Sequence, residues 1–197
     1  MKYNGGLTRE QFLFNEARIV AKLKLENKSD DEVINEVCTN NLFQYPTERM
    51  IRNLVQVCLK RIDELGNMNL VNILANGSYE SAKQVNFYAL LKKELLLREF
   101  MMEVVADKFR YKEYTFSKSD VLTFLHRLQE QDDVVASWSD STVQRIRQII
   151  VKMMVEVGYL DKHDSKMLND ILLDYELERG IVDNGDSAYL PIFNRFV

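Results

Sequence analysis

The chain has 197 residues, which is enough for one or two small domains with a sizeable core. Hydrophobic residues make up 46% and charged residues 28% of it, which excludes an intrinsically disordered chain. The net charge of -4 argues against a protein covered by nucleic acid over its whole surface. A local basic patch is still compatible with it, because charges within a Debye length set the field at a groove.

Neither secretion nor membrane insertion is indicated. The N-terminal segment lacks the apolar core of a signal peptide, and the most apolar run, 88–106, is interrupted by charged residues. Cys38 and Cys58 each lie among apolar residues on predicted helices, so we expect two buried free thiols in a reducing compartment. We therefore expect a cytoplasmic protein with no membrane partner.

The N-terminal region, 1–66, is predicted to contain three helices over about 8–26, 29–40 and 47–64. The last two are joined by a short turn that ends at Pro46, which is the outline of a helix-turn-helix. The third helix has a polar stripe with three candidate DNA contacts, Arg49, Arg52 and Lys60. The alternative is a helix that merely covers the N-terminal core.

The connecting region, 67–108, is predicted to hold a linker or a short helix over 70–75, followed by a long helix over 78–108. The long helix is apolar on nearly all sides, which is typical of a buried element. We therefore expect a long central helix that joins the two halves of the chain.

The region 109–166 begins with an aromatic and basic segment, 109–118, which is either a connector packed on the core or a nucleic-acid contact. A helix over about 118–131 follows. The tail, 167–197, is predicted to have a helix over 171–179, a stop at Gly180 and an apolar end that packs on the body.

The stretch 134–162 is the most informative part of the chain. Ser139 or Asp140 caps a predicted helix, and Gly158 ends it. The run Tyr159-Leu160 would form a wing strand with 162–166 at its tip, which makes this second helix-turn-helix winged-helix-like. One face of the helix is apolar, with Val143, Ile146, Ile149, Ile150, Met153, Met154 and Val157.

The opposite face of this helix carries side chains that suit DNA. Arginine and glutamine present bidentate groups to base edges, while lysine and hydroxyls reach phosphates. No acid follows the cap within the stripe, whereas most solvated faces mix charges. The alternative is a basic solvated face that binds nothing. The stripe and its flanks contain Ser141, Thr142, Gln144, Arg145, Arg147, Gln148 and Lys152.

The sequence contains no motif typical of a catalytic site or a metal site. Its two histidines, His126 and His163, have no cysteine or acid at ligand spacing, and there is no glycine-rich phosphate loop or nucleophile motif. We expect no enzymatic activity, no catalytic residue, no metal, no cofactor and no small-molecule substrate.

Four stretches of the sequence carry a resemblance to a known family. They are GGLTREQFLFNEARIVAKLKLENKSDDEV, NLFQYPTERMIRNLVQVCLKRIDEL, LLKKELLLREFMMEVVADKF and SWSDSTVQRIRQIIVKMMVEVGYLD. Together they resemble the BrxA family, the small accessory proteins of bacteriophage-exclusion (BREX) defence systems. The resemblance implies an all-α, compact protein with two helix-turn-helix elements and basic surfaces. It also implies binding of double-stranded DNA in support of a methylation-based complex with other BREX proteins.

On this basis Arg145 and Gln148 are the expected base-edge readers, and the other candidates would position the DNA backbone. Roughly five to eight phosphate contacts would make affinity fall steeply with salt. Two alternatives are a helical adaptor that docks another protein and an RNA-binding protein of antitermination type. In the RNA case Phe109, Tyr111 and Tyr114 would stack on bases.

Overall fold

The computed structural model describes Tyr3, Gly5–Thr8 and residues 11–196. Within these residues there are eleven α-helices, two 3-10 helices, one π-helix and no strand, so the all-α prediction is confirmed. The chain forms two compact units. The N-terminal unit comprises Phe12–Lys93 and Asp174–Asn184, and the C-terminal unit comprises the described residues up to Gln11, Glu94–Leu173 and those from Gly185 onward.

The first five helices belong to the N-terminal unit and agree in order with the predicted ones. The first begins later than expected, because Leu13 adopts a left-handed conformation with φ 44; residues 9 and 10, within the predicted helix, lie outside the described residues. The helices are α1 (Phe14–Leu25), α2 (Asp30–Thr39), α3 (Glu48–Leu65), α4 (Met68–Asn76) and α5 (Tyr79–Lys93).

Local capping explains where α2 and α3 begin. Ser29 accepts a hydrogen bond from the Glu32 amide at 3.3 Å, and the Glu32 carboxylate accepts one from the Ser29 amide at 2.8 Å. Thr47 accepts the Met50 amide at 3.3 Å in the same way. These bonds satisfy amides that the first helical turn leaves unpaired.

The core of the N-terminal unit contains one fully buried arginine. The Arg61 guanidinium donates to the Phe12 carbonyl at 2.6 Å, and the Asn86 side-chain amide donates to the same oxygen at 2.7 Å. A carbonyl has two lone pairs, so both donors are accommodated. These bonds fix the backbone just before α1. In the same unit Cys58 is buried and Cys38 half-buried, and neither forms a disulfide within the described residues.

The predicted long central helix is not continuous. Glu94 is extended, with φ -102 and ψ 97, and it separates α5 from α6 (Leu95–Phe100). The two helices belong to different compact units. The apolar residues on either side therefore serve two separate cores, although their spacing suggested one helix.

The C-terminal unit continues after α6 with a π-helical turn, Met101–Ala106. Its further helices are α7 (Asp107–Arg110), α8 (Lys118–Gln131), α9 (Asp133–Ala136) and α10 (Asp140–Val157). The bounds of α8 match the prediction. A 3-10 helix, Ser187–Phe193, completes the unit, and the Tyr159 hydroxyl donates to the Ile192 carbonyl of that helix at 3.0 Å.

The segment after α10 is a turn, and the predicted wing strand at Tyr159-Leu160 is wrong. Both of these residues are buried and irregular in backbone. The backbone pairing instead involves Thr115 and Met167, which form an isolated antiparallel bridge. The Phe116 amide donates to the Lys166 carbonyl at 2.8 Å beside this bridge.

The last α-helix, α11 (Tyr175–Asp183), corrects a second expectation. Gly180 does not end it, because the helix continues to Asp183 and Asp174 caps its start. A β-carbon at Gly180 would lie 2.6 Å from Leu70 Cδ2. The glycine is therefore needed for close packing against α4, and not as a helix stop.

Candidate nucleic-acid interface

The helix α10 is fixed at both ends by local hydrogen bonding. Ser139 is its N-cap and accepts the Thr142 amide at 3.3 Å. Gly158 ends it in a left-handed conformation with φ 100, and its amide donates to the Met154 carbonyl at 3.1 Å. Both predicted ends of this helix are confirmed.

One face of α10 packs into the core of the C-terminal unit. Six of the seven predicted apolar positions are buried, and Val157 is half-buried near the end of the helix. Burial of this face decides which residues of α10 can face solvent. The buried positions are Val143, Ile146, Ile149, Ile150, Met153 and Met154.

The opposite face forms an exposed polar surface, which we call the α10 stripe. Thr142 and Arg147 flank it and are half-buried. Among the described residues, Arg145, Arg147 and Lys152 form no salt bridge. The stripe therefore presents cationic groups that no carboxylate of the described residues neutralises. Its members are Ser141, Gln144, Arg145, Gln148 and Lys152, all of them exposed.

A groove of about 510 Å³ runs along the first half of the stripe. Thr8, from the 3-10 helix near the N-terminus of the chain, forms one side of it. The Ser139 hydroxyl lies 2.9 Å from that of Ser141 and 3.0 Å from that of Thr142. The α10 residues that line the groove are Ser141, Thr142, Gln144, Arg145 and Gln148.

The candidate residues of α3 lie in the N-terminal unit. They differ in whether a carboxylate neutralises them. Arg49, Arg52 and Lys60 are all exposed. Arg52 is bound to Glu48 at 3.0 Å, and this hydrogen bond is the main reason why the pKa of the guanidinium is raised. Arg49 and Lys60 form no salt bridge within the described part of the chain. The α3 surface is thus partly neutralised, unlike the α10 stripe.

The aromatic segment 109–118 offers little for base stacking. Phe109 is buried, with ring centroids 6.0 Å from Tyr114 and 6.3 Å from Tyr159. Tyr111 is exposed, while Tyr114 is half-buried. Of the three rings required by the RNA alternative, one is therefore committed to the core.

Two basic side chains near the stripe come from separate segments, the aromatic and basic segment 109–118 and the predicted wing tip 162–166, and the sequence did not predict that they meet. Lys118, the first residue of α8, and His163, in the turn after α10, both lie beside Arg147 and Lys152. They are far apart in the chain, and no local pattern connects them.

Metal sites and membrane-spanning helices are two further features that bear on function. Among the described residues there is no group of three or more histidine, cysteine or acidic side chains that could hold a metal ion. No helix in the described part of the chain has both the length and the apolar character needed to cross a membrane.

Comparison with known proteins finds a matching family model and related sequences. The BrxA family model matches residues 1–185. A protein from Bacillus cereus (strain H3081.97) named "BREX protein BrxA" is 28% identical over 191 residues, covering 96% of this chain and 95% of that protein. One of the same name from Paramagnetospirillum magneticum is 25% identical, covering 87% of this chain and 85% of the relative.

The fold also has a solved counterpart. The crystal structure of an uncharacterized protein from Magnetospirillum magneticum superimposes with a TM-score of 0.83 at 22% identity, covering 98% of both chains. This likeness concerns the fold. Since the family model spans nearly the whole sequence, the chain belongs to the BrxA family.

Proposed function

We propose that this protein is a non-enzymatic, double-stranded DNA-binding component of a BREX anti-phage defence system, and that other BREX proteins are its partners. The BREX role is inferred from the names of its relatives. The α10 stripe is the observation that carries the DNA-binding proposal, because it is exposed, cationic and free of carboxylate partners in the described structure.

The helices around the stripe support a helix-turn-helix assignment. In this proposal α8 is the supporting helix, α9 lies in the connection, and α10 enters the major groove of DNA. Asp132 caps α9 by accepting the Val134 and Val135 amides at 2.9 and 3.0 Å, which fixes where α9 begins.

Residues of the stripe and of its two flanking positions take different roles in this proposal. Arg145 and Gln148 lie centrally and read base edges, since their side chains are able to form paired hydrogen bonds with guanine and adenine. Ser141, Thr142, Gln144, Arg147 and Lys152 position the DNA backbone. Two readers would each contribute about 1–3 kcal/mol of discrimination, so sequence selectivity is weak.

A second DNA contact is assigned to α3. Arg49 and Lys60 are exposed and unpaired among the described residues, so they bind backbone phosphates. Arg52 contributes less because DNA must compete with Glu48 for its guanidinium.

Binding of the full chain to a labelled DNA duplex, titrated at several salt concentrations, tests the proposal. Wild type is compared with an Arg145→Glu/Lys152→Glu variant and with a control that has the same charge change on exposed lysines elsewhere, Lys22→Glu/Lys112→Glu. We expect affinity to fall with salt, and binding to collapse in the stripe variant alone.

Other results would point to other functions. No duplex binding by wild type at low salt would overturn the DNA proposal and favour an adaptor that docks a protein. Stronger competition by single-stranded or hairpin RNA than by duplex DNA would favour an RNA-binding protein.

A further inference from the structure

A cavity of about 320 Å³ lies beside the α10 stripe, on the side that faces the turn after α10. Of the described residues, six line it; four of these carry basic side chains and none carries an acid. The lining residues are Lys118, Arg147, Gln148, Val151, Lys152 and His163.

The walls of this cavity are held by backbone hydrogen bonds. The amide of Phe116, two residues before Lys118, donates to the Lys166 carbonyl at 2.8 Å. In the turn that carries His163, the Lys162 amide donates to Ser165 Oγ at 3.1 Å, and the Ser165 amide donates to the Lys162 carbonyl at 3.0 Å. The basic side chains therefore project from a fixed frame.

Three carboxylates near the cavity in sequence have partners outside it. Asp120 accepts the Ser117 amide at 2.8 Å and lies 3.7 Å from the Lys108 ammonium. Asp164 lies 3.7 Å from the Lys162 ammonium, and Asp161 accepts from the Asn169 side chain at 2.8 Å. Like charges that line one cavity repel each other, and a bound anion would relieve this repulsion.

Arg147 lines the cavity, and its guanidinium has unused hydrogen-bonding capacity. The side chain is half-buried, and its Nε is shielded from solvent with no hydrogen-bond partner in the described structure. A buried donor without a partner is unfavourable, and the guanidinium fork matches the oxygens of a phosphate. Lysine ammonium groups add point charges, and a histidine donates an N–H in either protonation state.

We propose that this cavity binds a backbone phosphate of duplex DNA, held by Lys118, Arg147, Lys152 and His163. The inference rests on the proposed function and extends the DNA surface to two residues outside the α10 stripe. Gln148 lines both this cavity and the groove along the stripe, so the two sites are continuous. Lys118 and His163 are exposed, which leaves the cavity open to a polymer.

The test is the dependence of duplex affinity on salt for wild type and two single-charge variants of the full chain. Lys118→Gln removes a cation from the cavity, and Lys112→Gln removes an exposed lysine of the same unit that does not line it. The slope of log affinity against log salt is negative, and loss of one phosphate contact reduces its magnitude by about one. We expect this decrease, with a several-fold loss of affinity on every duplex sequence, for Lys118→Gln and not for Lys112→Gln.

Arg147→Lys provides the second comparison of duplex affinity. It keeps the positive charge but removes the paired N–H donors of the guanidinium. We expect weaker binding than in wild type, with circular dichroism and thermal unfolding monitored to check the fold. If wild type binds and Lys118→Gln has the slope of wild type or of Lys112→Gln, the phosphate site is overturned while the DNA-binding proposal stands. If wild type does not bind duplex DNA, both fail.

Discussion

The Asn169 side chain bridges the two ends of the turn after α10, since its amide donates to the Gly158 carbonyl at 3.1 Å. The same amide group donates to Asp161 at 2.8 Å, and the Asn169 backbone amide donates to the Tyr159 carbonyl at 2.8 Å. One residue thereby links the end of the proposed recognition helix to the segment that follows His163. The position of the proposed phosphate site depends on these bonds.

Asn169→Ala should loosen this turn. Two side-chain hydrogen bonds are lost, so we expect the free energy of unfolding to fall by about 1–2 kcal/mol, measured by urea denaturation. Asp161→Ala is the matched control, because it removes one acceptor and leaves the bond to Gly158. An equal loss in the two variants would contradict the role given to the Gly158 contact.

Ser139→Ala should weaken the start of α10. The side chain accepts the Thr142 amide at 3.3 Å, and loss of an N-cap typically costs about 1 kcal/mol. Thermal or urea unfolding would measure the change. Ser139→Asp keeps an acceptor at the same place and should retain most of the wild-type stability. If Ser139→Asp is destabilised as much as Ser139→Ala, the cap is not the cause.

The ends and the exposed face of α10 were predictable because they follow from local rules. Ser139 and Gly158 are residue types that cap helices, and the 3.6-residue period separates the buried isoleucines from the α10 stripe. These features depend on residues within a few turns of one another. The same argument explains the correct bounds of α8.

Other features depend on tertiary packing, which local patterns do not contain. The break at Glu94 was missed because apolar residues continue across it, although they serve two cores. Gly180 was taken for a helix stop because glycine commonly ends helices, whereas its contact with Leu70 is distant in sequence. The approach of Lys118 to His163 likewise leaves no local signal.

Gly180→Ala should destabilise the N-terminal unit. The added β-carbon would meet Leu70 Cδ2 at 2.6 Å and Leu70 Cγ at 2.9 Å, and overpacking of this kind costs about 1–3 kcal/mol. A double-mutant cycle with Leu70→Ala, followed by urea denaturation, provides the control. The combined variant should lose less stability than the sum of the single ones, because the truncated side chain removes the clash. Additive losses would mean that the contact is not the source of the effect.

Tyr159→Phe should lower stability in a way that depends on pH. The hydroxyl is fully buried and donates to the Ile192 carbonyl at 3.0 Å, so we expect a loss of about 1 kcal/mol near neutral pH. Burial raises the pKa of the Tyr159 phenol well above its ordinary value of 10.0. The neutral phenol therefore stabilises the folded state fully at pH values below about 10, where the unfolded chain is also protonated.

Above that pH the unfolded Tyr159 ionises while the folded one does not, which favours unfolding of the wild type alone. The difference in unfolding free energy between wild type and Tyr159→Phe should thus stay constant from pH 7 to about 9 and shrink as the pH rises beyond about 10. Urea denaturation of both proteins across this range gives the difference directly, and every other tyrosine cancels in the comparison. A difference in unfolding free energy that stays constant up to pH 11 would show that the folded phenol ionises at its ordinary pKa. Tyr159 would then not be buried in the folded protein in solution.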